Sequence, residues 1–165
     1  MPTEPSTLLH KDEEGQAREQ NWSYWSIIGI LNYLCGMQPE IQLAVHQCSQ
    51  FCNDPKMLHE RALKRIIRYL KCMANGGLIL HPNNARDIQC FIDADVASSW
   101  SHADAEDASC VYSWTGYVIT FPGCPIIWVS KLQTEVSLST TEAECITLSQ
   151  AMHDLIPFVS LAPTN

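Results

Sequence analysis

The spacing of apolar residues changes once along this chain and divides it into a helical part and a strand-forming part. From Trp22 to Met73 the apolar residues recur every three or four positions, which is the spacing of one helix face. From Ile88 onward they occur in short alternating runs rich in β-branched and aromatic residues, which is typical of strands. Asn75-Gly76-Gly77 lies between the two parts and stops the last of the helices. The pattern predicts an α+β chain.

Glycine, proline and capping residues place the ends of the elements. They predict helices over residues 22–36, 40–52, 55–73 and 139–161. Asp54 is the expected N-cap of the third helix, and Ser139, Thr140 or Thr141 that of the last. Predicted strands cover 88–96, 111–121 and 126–129, with a further short apolar run over 78–80. Pro157 is expected to end or kink the final helix, because it has no backbone N–H. We expect three parts: a flexible acidic leader over 1–21, a helical segment over 22–76 and a strand-containing segment over 77–162.

Charge is distributed by segment. The formal net charge of -8 argues, taken alone, against a nucleic-acid binder. Six of the ten Lys and Arg residues nevertheless lie between Lys56 and Lys71, whereas acidic residues collect in the leader and at Asp104, Glu106 and Asp107. The third helix therefore carries a basic stripe, made of Arg61, Lys64, Arg65, Arg68 and Lys71. This stripe is either a surface that follows a phosphate backbone or the solvated face of an amphipathic helix.

Two acidic pairs are the candidates for chemistry. Asp93 and Asp95 end a predicted strand, and Glu142 and Glu144 begin a predicted helix. Hydrolysis of a phosphodiester by two magnesium ions needs several carboxylates at one point, since each Mg²⁺ takes oxygen ligands in near-octahedral geometry. Carboxylates at strand ends and helix starts also serve structural and solvating roles, so the pattern alone leaves both interpretations open.

The sequence gives less support for a zinc site, for a serine hydrolase or nucleotide-binding site, and for a membrane or secreted location. His46, Cys48 and Cys52 share a helix and could bind zinc, but tetrahedral zinc wants four well-spaced ligands, and small apolar core residues are the favoured interpretation. No Gly-x-Ser-x-Gly elbow and no phosphate-binding glycine loop is present. No apolar run reaches the roughly 18 residues that span a bilayer, and the first 20 residues lack a signal-peptide core. We expect an intracellular protein without a disulfide framework.

Several segments resemble, in the right order, the Pol polyprotein of copia-type retrotransposons. Residues 126–133 (IIWVSKLQ) and 136–144 (VSLSTTEAE) are similar to the core of its ribonuclease H domain, and 91–95 (FIDAD) and 115–118 (TGYV) lie upstream as expected. Residues 26–34 (SIIGILNYL) and 62–71 (ALKRIIRYLK) resemble the segment that closes its reverse transcriptase. The resemblance covers about residues 22–161.

The resemblance implies a ribonuclease H-like fold, in which the first three strands of a mixed sheet are antiparallel and helices pack on the sheet. It implies cleavage of the RNA strand of an RNA–DNA hybrid with two magnesium ions. Asp93 and Glu144 match catalytic metal ligands of that family, and Asp95 and Glu142 are supporting acidic neighbours. The basic stripe would contact nucleic acid.

The chain also departs from the family pattern. The family uses further aspartates from a later strand and a later helix, and this chain ends at Asn165 before either. Val96 and Cys145 stand where the family usually has aromatic residues. We expect either a nuclease fragment that needs the missing C-terminal half of its domain, or an inactive relic with at most weak nucleic-acid binding, in the cytoplasm, a virus-like particle or the nucleus. A sheet left incomplete predicts marginal stability or aggregation.

Overall fold

The computed structural model describes residues 2, 9–12, 14–19, 21–74, 76–83, 87–96 and 108–161. The chain forms two compact units, residues 1–78 and residues 79–165. The described residues contain four α-helices and one three-stranded antiparallel sheet, which confirms the α+β class. The acidic run Asp104, Glu106 and Asp107 lies outside the described residues.

The first unit is helical. Its elements are α1 (Tyr24–Cys35), a short 3-10 turn (Pro39–Ile41), α2 (Gln42–Ser49) and α3 (Met57–Cys72). Ser23 caps α1, because its hydroxyl accepts a hydrogen bond from the Ser26 backbone N–H at 3.2 Å. The predicted apolar faces meet in one core, formed by Tyr24, Ile28, Leu31, Ile41, Val45, Cys48, Leu63 and Ile66. The three predicted helices are therefore confirmed, each with slightly shorter bounds.

The start of α3 differs from the expectation. The helix begins at Met57, and the extended backbone of Lys56 precedes it. Asp54 does not cap α3, since its carboxylate pairs with the Lys56 ammonium at 2.9 Å. The Lys56 backbone N–H donates instead to Nδ1 of His59, at 2.9 Å, which occupies one donor at this helix end.

Part of the acidic leader lies against these helices. Leu9 packs on the helical core. The carbonyl of His10 is 2.9 Å from Nε2 of His59, and the carbonyl of Gln16 accepts from the Met57 backbone N–H at 3.0 Å. Nothing in the composition of the leader indicated these contacts, because backbone carbonyls make two of them.

The second unit is a small sheet with one helix. It contains β1 (Gln89–Asp95), a 3-10 turn (Ala108–Val111), β2 (Trp114–Thr120), β3 (Pro125–Leu132) and α4 (Thr140–Leu161). The strand order is β1-β2-β3, and both pairings are antiparallel. Gly123 lies in the turn between β2 and β3 with φ +79, a conformation that favours glycine. The strands predicted over 111–121 and 126–129 are therefore present, and they form a hairpin.

Helix α4 covers one face of this sheet. Tyr117 and Ile119 of β2 pack there with Ala151 of α4, joined by Cys90 of β1 and Val129 of β3. On the opposite face, Phe91 remains 59% exposed. The alternation predicted for residues 88–93 is confirmed, since Ile88 and Cys90 face the helix.

Two further segments complete the comparison with the sequence pattern. Residues 78–80 form no strand, and all three of their side chains are exposed. Pro157 does not end α4, which continues to Leu161. Proline removes only one backbone N–H from a helix of 22 residues, and just one further turn follows it. None of the helices in the described part is both long and apolar enough to cross a membrane.

Candidate functional site

Strand β1 fixes the position of the first acidic pair. Asp93 lies opposite Gly116 in the antiparallel ladder, and Asp95 lies opposite Trp114. Both carboxylates are exposed. Because side chains alternate along a strand, Asp93 and Asp95 share the face of the sheet that carries Phe91, away from the face that α4 covers.

The second acidic pair begins α4, and its two members differ in their contacts. The Ser139 hydroxyl accepts from the Glu142 backbone N–H at 3.1 Å, so Ser139 is the cap among the three candidates. One oxygen of the Glu142 carboxylate accepts in turn from the Leu138 backbone N–H at 2.8 Å. The arrangement is related to a capping box, although the glutamate accepts from the residue before the cap and not from the cap itself, and it gives Glu142 a structural role. Glu144 is exposed beside the buried Ala143.

The two predicted catalytic residues are therefore on packed elements of one unit but on exposed positions. Within the described ranges, no three His, Cys, Asp or Glu side chains are grouped so that they could hold a metal ion. Asp154, the one acidic residue further along α4, accepts a hydrogen bond of 2.5 Å from the Tyr117 hydroxyl. Burial, followed by the Asp154 carboxylate, raises the pKa of Tyr117, so this hydroxyl keeps its proton. The donor set of the described residues does not fit a two-magnesium site.

A buried polar cluster holds the start of α4 on the sheet. The side-chain amide of Gln133, which is 3% exposed, donates to the Ala143 carbonyl at 3.0 Å. The same nitrogen is 3.2 Å from the Thr115 hydroxyl and 3.3 Å from the Thr147 hydroxyl, and those two hydroxyls are 3.1 Å apart. The cluster thus joins β2, the end of β3 and the first turns of α4, and it fixes the backbone beside Glu144.

The basic stripe on α3 is not uniform. Arg61, Arg68 and Lys71 are exposed. The Lys64 ammonium is instead 2.6 Å from the carboxylate of Glu60, a side chain with 0% exposure. A lysine that neutralises a buried carboxylate stabilises the fold, because its release would leave that charge with one cation fewer. Lys64 therefore has a structural role, and the contact of the whole stripe with phosphates stays a prediction.

Glu60 and its neighbour His59 form a buried ionisable pair at the start of α3. The Lys64 hydrogen bond and charge, together with Arg18 at 3.3 Å, hold the pKa of Glu60 below its usual value despite burial. Arg18 also donates to the Trp22 carbonyl at 2.6 Å and lies 4.5 Å from the centroid of the Trp22 ring. The leader thus supplies one of the two cations that neutralise Glu60.

The cysteines predicted as an alternative zinc site are part of the packing. Cys48 is buried in the helical core, where the Tyr24 hydroxyl donates to its backbone carbonyl at 3.0 Å. Burial raises the pKa of the Cys48 thiol to about 12, and it also raises the pKa of Cys52. Zinc binds the thiolate form, so this environment disfavours metal binding and favours the core interpretation.

Comparison with known proteins identifies the family. The chain is 40% identical, over 73% of its length, to the retrovirus-related Pol polyprotein from transposon RE1 of Arabidopsis thaliana. It is 33% identical, over 94% of its length, to the retrovirus-related Pol polyprotein from transposon RE2 of the same plant. The chain belongs to the Pol polyproteins of copia-type retrotransposons. This confirms the family that the sequence motifs predicted.

The copia-type Pol chain spans a small part of these relatives, covering 8% of the RE1 polyprotein and 10% of the RE2 polyprotein. It is also 34% identical, over 83% of its length, to secreted RxLR effector protein 161 of Plasmopara viticola, of which it covers 92%. No protein-family model and no solved structure matches it significantly.

The acidic pairs and the basic stripe are visible in the sequence of this copia-type Pol chain. The residues that hold them in place are not. Nothing in the sequence distinguishes Glu60, because a glutamate four residues before a lysine is common on exposed helix surfaces. Gln133 and Thr147 gave a weak indication, since Thr147 is a polar residue on the otherwise apolar stripe of α4 with Ala143 and Ala151. Only the tertiary contact shows that the Gln133 amide nitrogen and the Thr147 hydroxyl lie within hydrogen-bonding distance.

Proposed function

We propose that this chain is the part of a retrotransposon Pol polyprotein in which the end of the reverse transcriptase joins a ribonuclease H-like domain. The parent activity is magnesium-dependent hydrolysis of the RNA strand in RNA–DNA hybrids. The observation that supports it best is the sheet of three antiparallel strands followed by a packed helix, with Asp93 on the first strand and Glu144 in the early turns of that helix. Membership of the Pol family supports the same assignment.

In this proposal the chain by itself does not catalyse. The described residues offer no group of three metal-binding side chains, and two-metal hydrolysis needs several converging carboxylates. The remaining ligands would come from another segment of the polyprotein that packs against this sheet. Losing them removes both metal affinity and charge stabilisation in the transition state, which costs orders of magnitude in rate.

The nuclease proposal is tested with a labelled RNA–DNA hybrid and Mg²⁺. The chain is assayed alone and within a longer Pol segment that continues through the ribonuclease H region. We expect cleavage by the longer segment, loss of cleavage in its Asp93→Asn and Glu144→Gln variants, and little change in the Glu142→Gln variant. Cleavage by the longer segment that survives both substitutions would overturn the assigned site. Cleavage by the chain alone would overturn its proposed inactivity.

The second candidate function is that of an inactive relic that binds nucleic acid weakly. The observation in its favour is the exposed row of Arg61, Arg68 and Lys71 on α3, with Arg65 between them. Lysine and arginine that contact phosphates release counterions, so binding should weaken steeply with salt. Both candidates place the chain inside the cell, with RNA–DNA hybrid or another nucleic acid as its partner.

Nucleic-acid binding is measured by anisotropy of a labelled hybrid at increasing salt concentration. We expect the triple variant Arg61→Gln, Arg68→Gln, Lys71→Gln to lower the slope of log affinity against log salt by roughly two to three. Lys131→Gln, which removes an exposed lysine from β3, is the matched control. If the control lost as much affinity per removed charge as the triple variant, only the total charge would matter, and an absence of salt-dependent binding would dismiss the candidate.

A further inference from the structure

A cavity lies between α2 and α3 and is not used by the proposed nuclease. Its volume is about 410 Å³, within the range of protein sites that take small ligands or side-chain anchors. Helix α2 contributes Ala44 and Cys48, and the leader contributes Leu9. Helix α3 contributes the remaining wall. All of these residues belong to the helical unit, so the cavity is a property of that unit alone.

The charged side chains among the described lining residues of the cavity are all basic. Arg61, Arg65 and Arg68 line it, and its described lining contains no acidic side chain. The three arginines follow one another at i, i+4 and i+7 and therefore share a helix face. Guanidinium groups bind carboxylates and phosphates through paired hydrogen bonds. The cavity is complementary to an anion.

The apolar part of the cavity narrows the class of ligand. Leu9, Leu58, Ala62 and Ile66 form an aliphatic lining, and no aromatic ring occurs among the described lining residues. Proteins that bind single-stranded nucleic acid hold the bases by stacking them on aromatic side chains. An aliphatic lining with arginines beside it is better matched by a branched aliphatic side chain that has carboxylates next to it.

The acidic leader already packs against the helical unit beside this cavity. The leader runs beside α3 with Leu9 in the cavity lining, while the carbonyls of His10 and Gln16 contact His59 and Met57 of that helix. Peptide can therefore lie beside the start of α3, with its backbone carbonyls accepting hydrogen bonds from groups there.

From these observations we propose that the cavity between α2 and α3 is a docking site for an acidic peptide segment of another protein, anchored by one aliphatic side chain. The carboxylates of the segment pair with Arg61 and Arg68, and the aliphatic side chain fills the space lined by Leu58, Ala62 and Ile66. This proposal does not depend on the nuclease assignment.

The test uses the full chain and a short fluorescein-labelled peptide with one leucine among glutamates. We expect saturable binding that weakens about tenfold when serine replaces the leucine, because a buried leucine contributes strongly to binding. We expect a similar loss in the Arg61→Gln, Arg68→Gln double variant. Lys71→Gln is the matched control, since Lys71 is exposed on the same helix but outside the cavity lining, and its effect should stay within twofold.

A second variant tests the cavity independently, in case the double variant does not fold. Ala62→Leu fills the cavity and keeps every charge, so it should weaken peptide binding and leave binding of a labelled oligonucleotide unchanged. Equal binding of the leucine and serine peptides, or no saturable binding, would overturn the proposal. It would also be overturned if the oligonucleotide displaced the peptide and both lost affinity equally in Lys71→Gln, because the surface would then be a nucleic-acid site. None of these outcomes bears on hybrid cleavage, which tests the nuclease separately.

Discussion

Two neighbouring residues, His59 and Glu60, are buried side by side, and only Glu60 is charged. His59 is 1% exposed, and its Nδ1 accepts from the Lys56 N–H, so its Nε2 carries the proton and donates to the His10 carbonyl. The ring is therefore neutral and stacks on Phe51 with 4.1 Å between ring centroids. Glu60 keeps its charge, because Lys64 and Arg18 neutralise it. The two side chains differ in charge because the fold brings different partners to each of them.

The His59 environment predicts an acid-sensitive helical unit. Burial lowers the pKa of His59 below its usual 6.5. Below pH 6.5 the unfolded chain takes up this proton more readily than the folded chain, so stability is complete above that pH and falls as the pH drops through the lowered pKa. Urea unfolding followed through amide resonances of α3 should show this loss, and His59→Gln should be less sensitive to pH between about 6.5 and 5. Equal pH dependence in both proteins would contradict it.

The contrast between Lys64 and Lys71 predicts unequal effects of one substitution. Lys64→Gln should lower the free energy of unfolding by about 1–3 kcal/mol, because it leaves a buried carboxylate with one cation fewer. Lys71→Gln, in the exposed last turn of α3, should change it by less than about 0.5 kcal/mol. Chemical denaturation of both variants measures the difference. Similar values for the two would place Lys64 on the solvated surface.

At the level of elements, the first turn of α4 combines a cap with a candidate catalytic residue. Ser139 and Glu142 satisfy backbone N–H groups at its start, whereas Glu144 is exposed two residues later. The Gln133 amide then ties the Ala143 carbonyl to the sheet. One short sequence, STTEAE, thus contains residues that build the helix and a residue that the fold leaves accessible.

Single substitutions separate these two roles. Ser139→Ala should destabilise the chain by about 0.5–2 kcal/mol, as for other helix caps, and Glu142→Ala should have an effect in the same direction. Glu144→Ala should change stability by no more than about 0.5 kcal/mol, as is usual for exposed positions. Thermal unfolding of the three variants tests the assignment. A large loss in Glu144→Ala with none in Glu142→Ala would reverse the roles given to the two glutamates.

For the whole molecule, the second unit leaves much apolar surface uncovered. In the described sheet, β1 and β3 each have a pairing partner on one side only. The outer side of α4 exposes large apolar side chains, namely Leu148, Met152, Ile156 and Val159. Unpaired strand edges and contiguous apolar patches both favour association with other chains.

We therefore expect the chain to associate as its concentration rises. Sedimentation velocity should show oligomers or larger aggregates at micromolar concentration, and Leu148→Glu with Ile156→Lys should reduce them. Lys131→Gln, also a surface change but outside the apolar patch, is the control and should leave association unchanged. A monomer with a sharp, reversible thermal transition at all concentrations would contradict the expectation.

The elements that the sequence predicts best are those with the clearest periodic spacing of apolar residues. The stripe of Leu63 and Ile66 on α3 and the alternation of Ile88 and Cys90 on β1 are dictated by burial of one face, and both were predicted correctly. The apolar run at 78–80 forms no strand, because hydrophobicity without a partner strand does not make a sheet. The acidic pairs were visible as sequence, but their roles depend on neighbours that lie far along the chain.

By itself the sequence determined the class of fold, the family, and which residues are acidic or basic at each element, because these follow from local spacing and from motifs in order. Only the tertiary structure decided that Lys64 neutralises a buried Glu60, that Glu142 caps a helix, and that arginines and leader share a cavity. Each of these depends on groups brought together by packing. The free energy of a charge or a hydrogen-bonding group is set by those neighbours and not by its own segment.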